Sequence, residues 1–416
     1  MTFDIDATKP KPQSGLLSTF THPFIRLFLN LWIVIELLMV LLPFVIPNHW
    51  YLHTFLSDKA YSKTEEFLAG AAATLPDKDL GWRNRPNFQH DEWRIDQWGG
   101  RNHRDFTMKK PPNTQRIVML GSSLINGSHF VDNNNTMSAS LERQYQDLLD
   151  QSKSPINIEV LNFATMMYTL DQIKLQIDQQ VLLFQPDVLV IGLHEDPTAG
   201  LNSIYVPFRL PDEENMPYVK PKFNINGSTL EQLPAPLEKL APLNDASLHY
   251  FKTQDQNYGT FQAHQHFSFM PLTHGLSTLY AKAVNMLGYW TEQPAQFQLL
   301  RALMQEIDAV ARNNNMQVMY LYLPTPRSLN RPGVWQWMPD YYQQRLKWMR
   351  AAWQDASQSH IVDVRGRLRA MPDQSNVYAE DDYHFSKQGN DILAQIIIQE
   401  LLTYQNIEKT SVENAN

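Results

Sequence analysis

Apolar positions change their spacing several times along the chain, and each change marks a different kind of element. From Leu27 to Ile46 the run LFLNLWIVIELLMVLLPFVI is nearly continuous, about the 20 residues a helix needs to cross a bilayer. Asn30, Glu36 and Pro43 interrupt it. A buried core helix is the other reading of such a run, but no other part of the chain approaches this apolar density. A cleaved leader has a shorter apolar stretch and a small-residue cleavage site. PNHWYLHTF follows here instead, which fits an uncleaved transmembrane anchor over 24–47. Lys9, Lys11 and Arg26 precede the run, diluted by Asp4 and Asp6. Counted by Lys and Arg, this bias predicts a cytoplasmic tail over 1–23 and an extracytoplasmic bulk.

From Gln115 the rhythm becomes strand, helix, strand. RIVML (Arg116–Leu120) is a short apolar run ending at Gly121. TMSASLERQYQDLLD follows, with Met137, Leu141, Tyr145, Leu148 and Leu149 on one helical face and Thr136 as the N-cap. IEVLNF (Ile158–Phe163) predicts a strand, Leu170–Phe184 a helix and DVLVIGL (Asp187–Leu193) a strand. After a long interruption come a helix over Gln296–Arg312, the strands VMYLYL (Val318–Leu323) and IVDV (Ile361–Val364), and a last helix from about Ser386 to Leu402. Short apolar strands alternating with helices imply an α/β domain of three layers around a parallel sheet. Ligands in such sheets sit beyond the carboxyl ends of the strands. The domain is placed over 113–405, behind an irregular lead-in over 48–112 and ahead of a flexible tail over 406–416. An insertion of about 198–294, rich in proline and aromatic residues, breaks the rhythm. It is read either as a carbohydrate- or acyl-binding cover or as simple packing over the sheet.

The 416 residues carry a net charge of -8 and no basic stripe, which excludes a nucleic-acid partner because phosphate binding needs clustered Lys and Arg. Cysteine is absent, so disulfides, thiolate metal sites and Cys nucleophiles are excluded. His264 and His266 in HQH have no third ligand at suitable spacing, so no metal or cofactor is expected.

Two segments carry chemistry. Directly after the first central strand stands GSSLING, Gly121 to Gly127. A serine on a tight strand-to-helix turn exposes its hydroxyl at the sheet edge, where backbone N–H groups can meet a developing oxyanion. The second segment is DDYHFSKQGN, with Asp381 and His384 just before the last helix. A carboxylate three residues before a histidine can hold the imidazole in one tautomer while its other nitrogen faces a serine hydroxyl. Each segment alone also has a structural reading, as a turn and as a helix cap. Together they bracket the sheet.

On these residues the chain resembles the SGNH/GDSL hydrolase superfamily over roughly Asp79 to Leu402. Gly121, Ser122, Ser123 and Gly127 match the first block, with Ser122 in place of the usual Asp. Asp381, His384 and Gly389 match the last. DLGWRNRPN and GGRN resemble segments that precede the first block in many bacterial members. The resemblance implies a flavodoxin-like sheet and a triad of Ser123, His384 and Asp381. It implies oxyanion donors from the backbone of Ser123 and from Met167, which stands near the second block's usual Gly. The third block's usual Asn is replaced within GLHEDP by His194 or Glu195, depending on alignment. A carboxylate cannot donate unless protonated, whereas His194 can, and losing one oxyanion donor typically costs about 10²–10³ in rate. Membrane-anchored relatives imply an esterase or O-acetyltransferase at the bacterial inner membrane, its substrate an acylated envelope or exported polysaccharide or an acyl donor. A multi-spanning membrane acyltransferase is the implied partner. The alternative is a catalytically impaired glycan-binding protein of such a complex.

Overall fold

The computed structural model describes residues 23–41, 72–91, 93–201, 203, 205–209, 217–227, 229–233, 295–330, 340–351, 360–372, 374, 376–380 and 383–415. Helix α1 (Pro23–Leu41) occupies the first apolar run, with Phe24, Leu27, Phe28, Leu31, Ile33 and Val34 exposed. Among the described residues no helix is long and apolar enough to cross a membrane. Residues 42–47 of the expected anchor lie outside the described residues.

The lead-in is not irregular where it is described. It forms two small antiparallel hairpins, β1 (Thr74–Asp77) with β2 (Gly81–Asn84) and β3 (Gln89–His90) with β4 (Trp93–Arg94). Their indoles explain the packing. Trp82 and Trp93 are buried, and an aromatic side chain of that size repays two short strands that could not stand alone.

The central sheet holds β5 (Thr114–Leu120), β6 (Asn157–Asn162) and β7 (Val188–Leu193), all parallel. Two hairpins of the insertion follow, β8 (Tyr205–Arg209) with β9 (Pro217–Val219) and β10 (Lys222–Asn226) with β11 (Thr229–Leu233). The sheet is completed by β12 (Gln317–Tyr322) and β13 (His360–Asp363), giving the order β13-β12-β7-β5-β6. Counted along the chain, the five run 2-1-3-4-5 from the β6 edge, the flavodoxin-like order, and the sequence of strands reverses between β5 and β7.

Period-two alternation loads both faces. Ile117, Met119, Val188 and Val190 share one core with Met137, Leu141 and Tyr145 of α3 (Met137–Gln151) and with Leu393, Ile397 and Leu401 of α9 (Lys387–Ala415). Val118, Leu120, Leu189 and Ile191 share the other with α4 (Leu170–Gln179), α5 (Ala295–Asn313) and α7 (Tyr341–Ala351). The remaining helices are short: α2 (Ser123–Asn126), α6 (Pro326–Leu329) and α8 (Val364–Arg369). Three layers result, as the strand pattern requires.

Several boundaries differ from the pattern. The helix expected to reach Phe184 stops at Gln179 and tightens into a 3₁₀ turn over Val181–Phe184, which Gln185 ends in the left-handed region. Helix α9 continues past Leu402 to Ala415, since no glycine or proline follows Gly389 to stop it. Leu148, placed on the buried face of α3, is 37% exposed.

The sheet's β6 edge is closed by side chains. Its outward N–H groups donate to Gln146 Oε1 from Ile158 (2.8 Å), to Glu142 Oε2 from Val160 (2.7 Å) and to Asn102 Oδ1 from Asn162 (2.7 Å). An edge so occupied offers no template for another strand.

Candidate active site

Strand β5 ends at Gly121, whose φ of +153° lets the chain turn sharply into α2. A Cβ on Gly121 would lie 2.7 Å from the Ile125 side chain and 3.2 Å from the Gly192 carbonyl, so the turn is packed against the end of β7. Ser122 is the N-cap and Ser123 opens the helix, with Gly127 closing it in the left-handed region. A helix start leaves its first N–H groups without intrahelical acceptors. Ser123 therefore presents hydroxyl and amide from one short element, and it is buried to 6% exposure.

The turn after β6 lies beside it. Phe163 N–H donates to the Met119 carbonyl and Thr165 N–H to that of Gly121, both at 3.0 Å. Met167 stands in this turn with φ of +62°. That conformation costs a side-chain-bearing residue about 1–2 kcal/mol that glycine would be spared. The strain is held by neighbours. Trp82 Nε1 donates to the Met166 carbonyl at 2.9 Å, and Asn84 Nδ2 to that of Ala164 at 3.1 Å. Because glycine is at home there, Met167→Gly is expected to keep the melting temperature within about 2 °C. Met167→Val, β-branched, should lose about 1–2 kcal/mol in thermal unfolding.

The third loop follows β7. His194 Nδ1 accepts from the Asp196 N–H at 3.1 Å, so in the neutral ring the proton sits on Nε2. Burial pushes His194 below its ordinary value, and the charges of Glu195 and Asp196 only partly oppose this. A neutral imidazole with its donor nitrogen fixed is suited to meet an oxyanion. Glu195 is not. Its carboxylate accepts from Thr325 N (3.1 Å) and Thr325 Oγ1 (2.8 Å) at the cap of α6. Burial pulls its carboxyl upward, but the bonds from Ser328 and Thr325 outweigh that and hold it below the usual range. Glu195 has no proton to give, and of the two residues at this place His194 alone can donate.

His384 lies in a tight reversal before α9. Ala379 N–H donates to the His384 carbonyl (2.8 Å) and Ser386 N–H to that of Val377 (3.0 Å). Tyr378 OH donates to the Pro324 carbonyl (2.7 Å) beyond β12, which ties the reversal to the carboxyl end of the sheet. His384 is 6% exposed. Its ring stacks on Phe130 at 4.7 Å between centroids and meets Tyr383 at a tilt, at 4.3 Å. Phe130 belongs to the loop that leaves Ser123, so that loop and His384 meet through an aromatic contact. Asn390 Nδ2 donates to the Asn135 carbonyl (2.9 Å) and locks α9 to the same loop.

Asp381 lies outside the described residues, as do Asp382, His264 and His266. Asp363 caps α8 through the Gly366 N–H, and Asp196 pairs with Arg345. Among the described residues no group of His, Cys, Asp or Glu could hold a metal ion. Sequence reasoning missed Phe130, Arg101, Asn102, Asn126 and Asn162, which support the turns. The signal available was polar residues in apolar settings, the Asn ending VLN and the Arg-Asn after Gly-Gly.

No family model matches the chain, and no curated protein matches it. Among solved structures it is similar to the lipase/acylhydrolase from Enterococcus faecalis, at 13% identity over 69% of this chain and 95% of that one, with a TM-score of 0.35. It is similar to the Clostridium thermocellum family 3 carbohydrate esterase at 12% identity, 71% and 98% coverage and a TM-score of 0.35. The psychrotrophic esterase EstA from Pseudoalteromonas gives 11%, 70%, 99% and 0.33 in the same terms. At this level of similarity the likeness assigns neither activity nor substrate to the chain.

Proposed function

We propose that the chain is a serine-dependent acyl-ester enzyme acting on an acylated envelope or exported polysaccharide. The observation that carries this reading is the meeting of the Ser123 loop with His384 at the carboxyl ends of the strands. Ser123 Oγ attacks the ester carbonyl while His384 takes its proton. The carbonyl oxygen gains the negative charge, which the N–H groups of Ser123 and Met167 and the Nε2–H of His194 receive. Collapse of this tetrahedral species breaks the ester bond, and His384 gives its proton to the departing alkoxide. Water or a sugar hydroxyl then attacks the acyl-serine, with His384 again as base and Asp381 orienting its ring; the bond to Ser123 Oγ breaks and His384 returns the proton to that oxygen. Water makes the protein an esterase and a sugar makes it an O-acyltransferase.

The anchor over 24–47 belongs to the same proposal. Apolar side chains exposed from Phe24 to Ile35 support it, since a helix apolar on many sides requires a cover. A multi-spanning membrane acyltransferase delivering acyl groups is the proposed partner. The test is turnover of p-nitrophenyl acetate by the detergent-solubilised full chain, with mass-spectrometric identification of the residue modified by a serine-directed phosphonate. Turnover with labelling at Ser123 is expected. An inactive chain with Ser123 unlabelled would overturn the enzyme reading in favour of glycan binding without catalysis.

A further inference from the structure

The lead-in buries an arginine beneath the loop that leaves Ser123. Arg101 is 0% exposed, and its guanidinium makes no direct ion pair among the described residues. Its partners are mostly backbone carbonyls. Nη1 donates to the carbonyls of Asn126 (2.9 Å) and Ser128, and Nη2 donates to that of Val131 (2.5 Å). Nε donates to Asn133 Oδ1 (3.3 Å), and Nη1 reaches Asn126 Oδ1 (3.3 Å). Arg101's own N–H donates to the Asn162 carbonyl at the end of β6 (2.8 Å). Its guanidinium lies over the Trp93 ring at 5.1 Å.

A buried cation is expensive unless its donors are satisfied. Here burial pushes the guanidinium down to about 9, with only the field of Asp132 opposing, so it is charged at neutral pH. What the fold obtains is a planar fork that fixes three carbonyls at once, a geometry an ammonium on a flexible stem cannot reproduce. Those carbonyls span 126–131, from the last residue of the Ser123 helix to the residue after Phe130. Phe130 is the ring on which His384 stacks. One side chain thus sets both the loop that follows the nucleophile and the wall behind the base.

The neighbouring residues extend the same device to the second turn. Asn102 Oδ1 accepts from the Asn162 N–H, while Asp96 Oδ2 accepts from Asn102 Nδ2 at 2.7 Å. Asn162 Nδ2 donates to the Ile125 carbonyl (3.0 Å), and Asn126 Nδ2 to that of Ala164 (2.9 Å). The Ser123 helix and the Met167 turn are therefore cross-linked by two asparagines, both held by the Arg101–Asn102 pair. Gly100 is required for this, because a Cβ there would lie 2.3 Å from Asn102 Nδ2.

We propose that Arg101 is a positioning residue, holding the 126–131 loop so that Ser123 and His384 stand in register. The kinetic consequence rests on the acyl-transfer reading; the clamp itself does not. The test uses the full chain carrying Arg101→Lys, with Arg101→Gln as a second variant because a neutral amide is cheaper to bury. Two readouts are taken, p-nitrophenyl acetate kinetics and hydrogen exchange of the 123–131 amides. A folded variant is expected to lose about 10²-fold in kcat with KM within about twofold, since misplacement of about 1 Å costs that much. Its 123–131 amides should exchange at least about tenfold faster, while those of β7 stay unchanged.

Unchanged exchange in the loop overturns the proposal whether or not the parent is active. Faster exchange with kcat retained overturns it too. If the parent has no esterase activity, the acyl-transfer reading falls, and localised loss of protection over 123–131 alone decides for the clamp. If neither variant folds, judged by near-UV circular dichroism, Arg101 is a stability residue and the positioning role is rejected.

Discussion

Ser123→Ala is expected to remove ester turnover by a factor on the order of 10⁴ or more, with the fold intact. The chemistry explains the size. Without an oxygen nucleophile no acyl-enzyme can form, and what remains is binding and oxyanion stabilisation. The serine is small, sits in the first turn of a four-residue helix and makes its structural contribution through the backbone, as in the Gly127 N–H bond to its carbonyl at 2.8 Å. Alanine keeps that contribution. His384→Ala should cost a comparable factor, and the double variant should be little worse than either, because members of a catalytic unit do not add. Activity on p-nitrophenyl acetate, with circular dichroism as control, checks all three. A Ser123→Ala chain that keeps a tenth of the parent rate would mean another residue is the nucleophile.

The second large effect is expected at Gly389, remote in sequence from Ser123. A Cβ there would stand 1.9 Å from the Val377 carbonyl oxygen and 2.9 Å from its carbon, backbone atoms that no rotamer change can move. Gly389→Ala must push α9 away from the reversal that carries His384. Overpacking of this kind costs about 1–3 kcal/mol, occasionally more. The same displacement acts on the Ala379–His384 and Val377–Ser386 bonds, so kcat should fall by about 10²-fold even where the protein stays folded. Gln388→Ala, at an exposed neighbouring position, should change neither quantity. Denaturant unfolding and kinetics on the two variants separate the outcomes. A Gly389→Ala protein with parental stability and rate would show that α9 and the reversal can part freely.

Both effects start from segments that were legible as chemistry before any fold was known. GSSLING follows an apolar strand and DDYHFSKQGN precedes an amphipathic helix, so each could be placed at an element boundary. The reason Gly389 must be glycine was not legible. It depends on Val377, twelve residues earlier on the other arm of the reversal. Helix α7 was a different case: Tyr342, Leu346 and Met349 are buried at helical spacing, but tyrosine, tryptophan and charge crowd the segment and blur the apolar stripe.

The residues expected to serve an oxyanion divide the same way. That Met167 lacks glycine's freedom can be read from its identity, yet its φ of +62° appears only with the turn. His194 and Glu195 were equivalent by alignment. Thr325, 130 residues away, separates them by occupying the Glu195 carboxylate.

What the amino-acid order determined by itself was local: strands and helices by apolar period, their alternation and hence a parallel sheet covered on both faces, and the two segments bearing serine and histidine. Periodicity suffices there because burial of one face is set within a few residues. Tertiary structure alone decided which residues support those segments. Arg101 under the serine loop, Asn162 across to Ile125 and Phe130 against His384 are contacts between distant parts of the chain. They are set by the order in which the strands lie side by side, and pairing across a sheet leaves no spacing in the sequence to read.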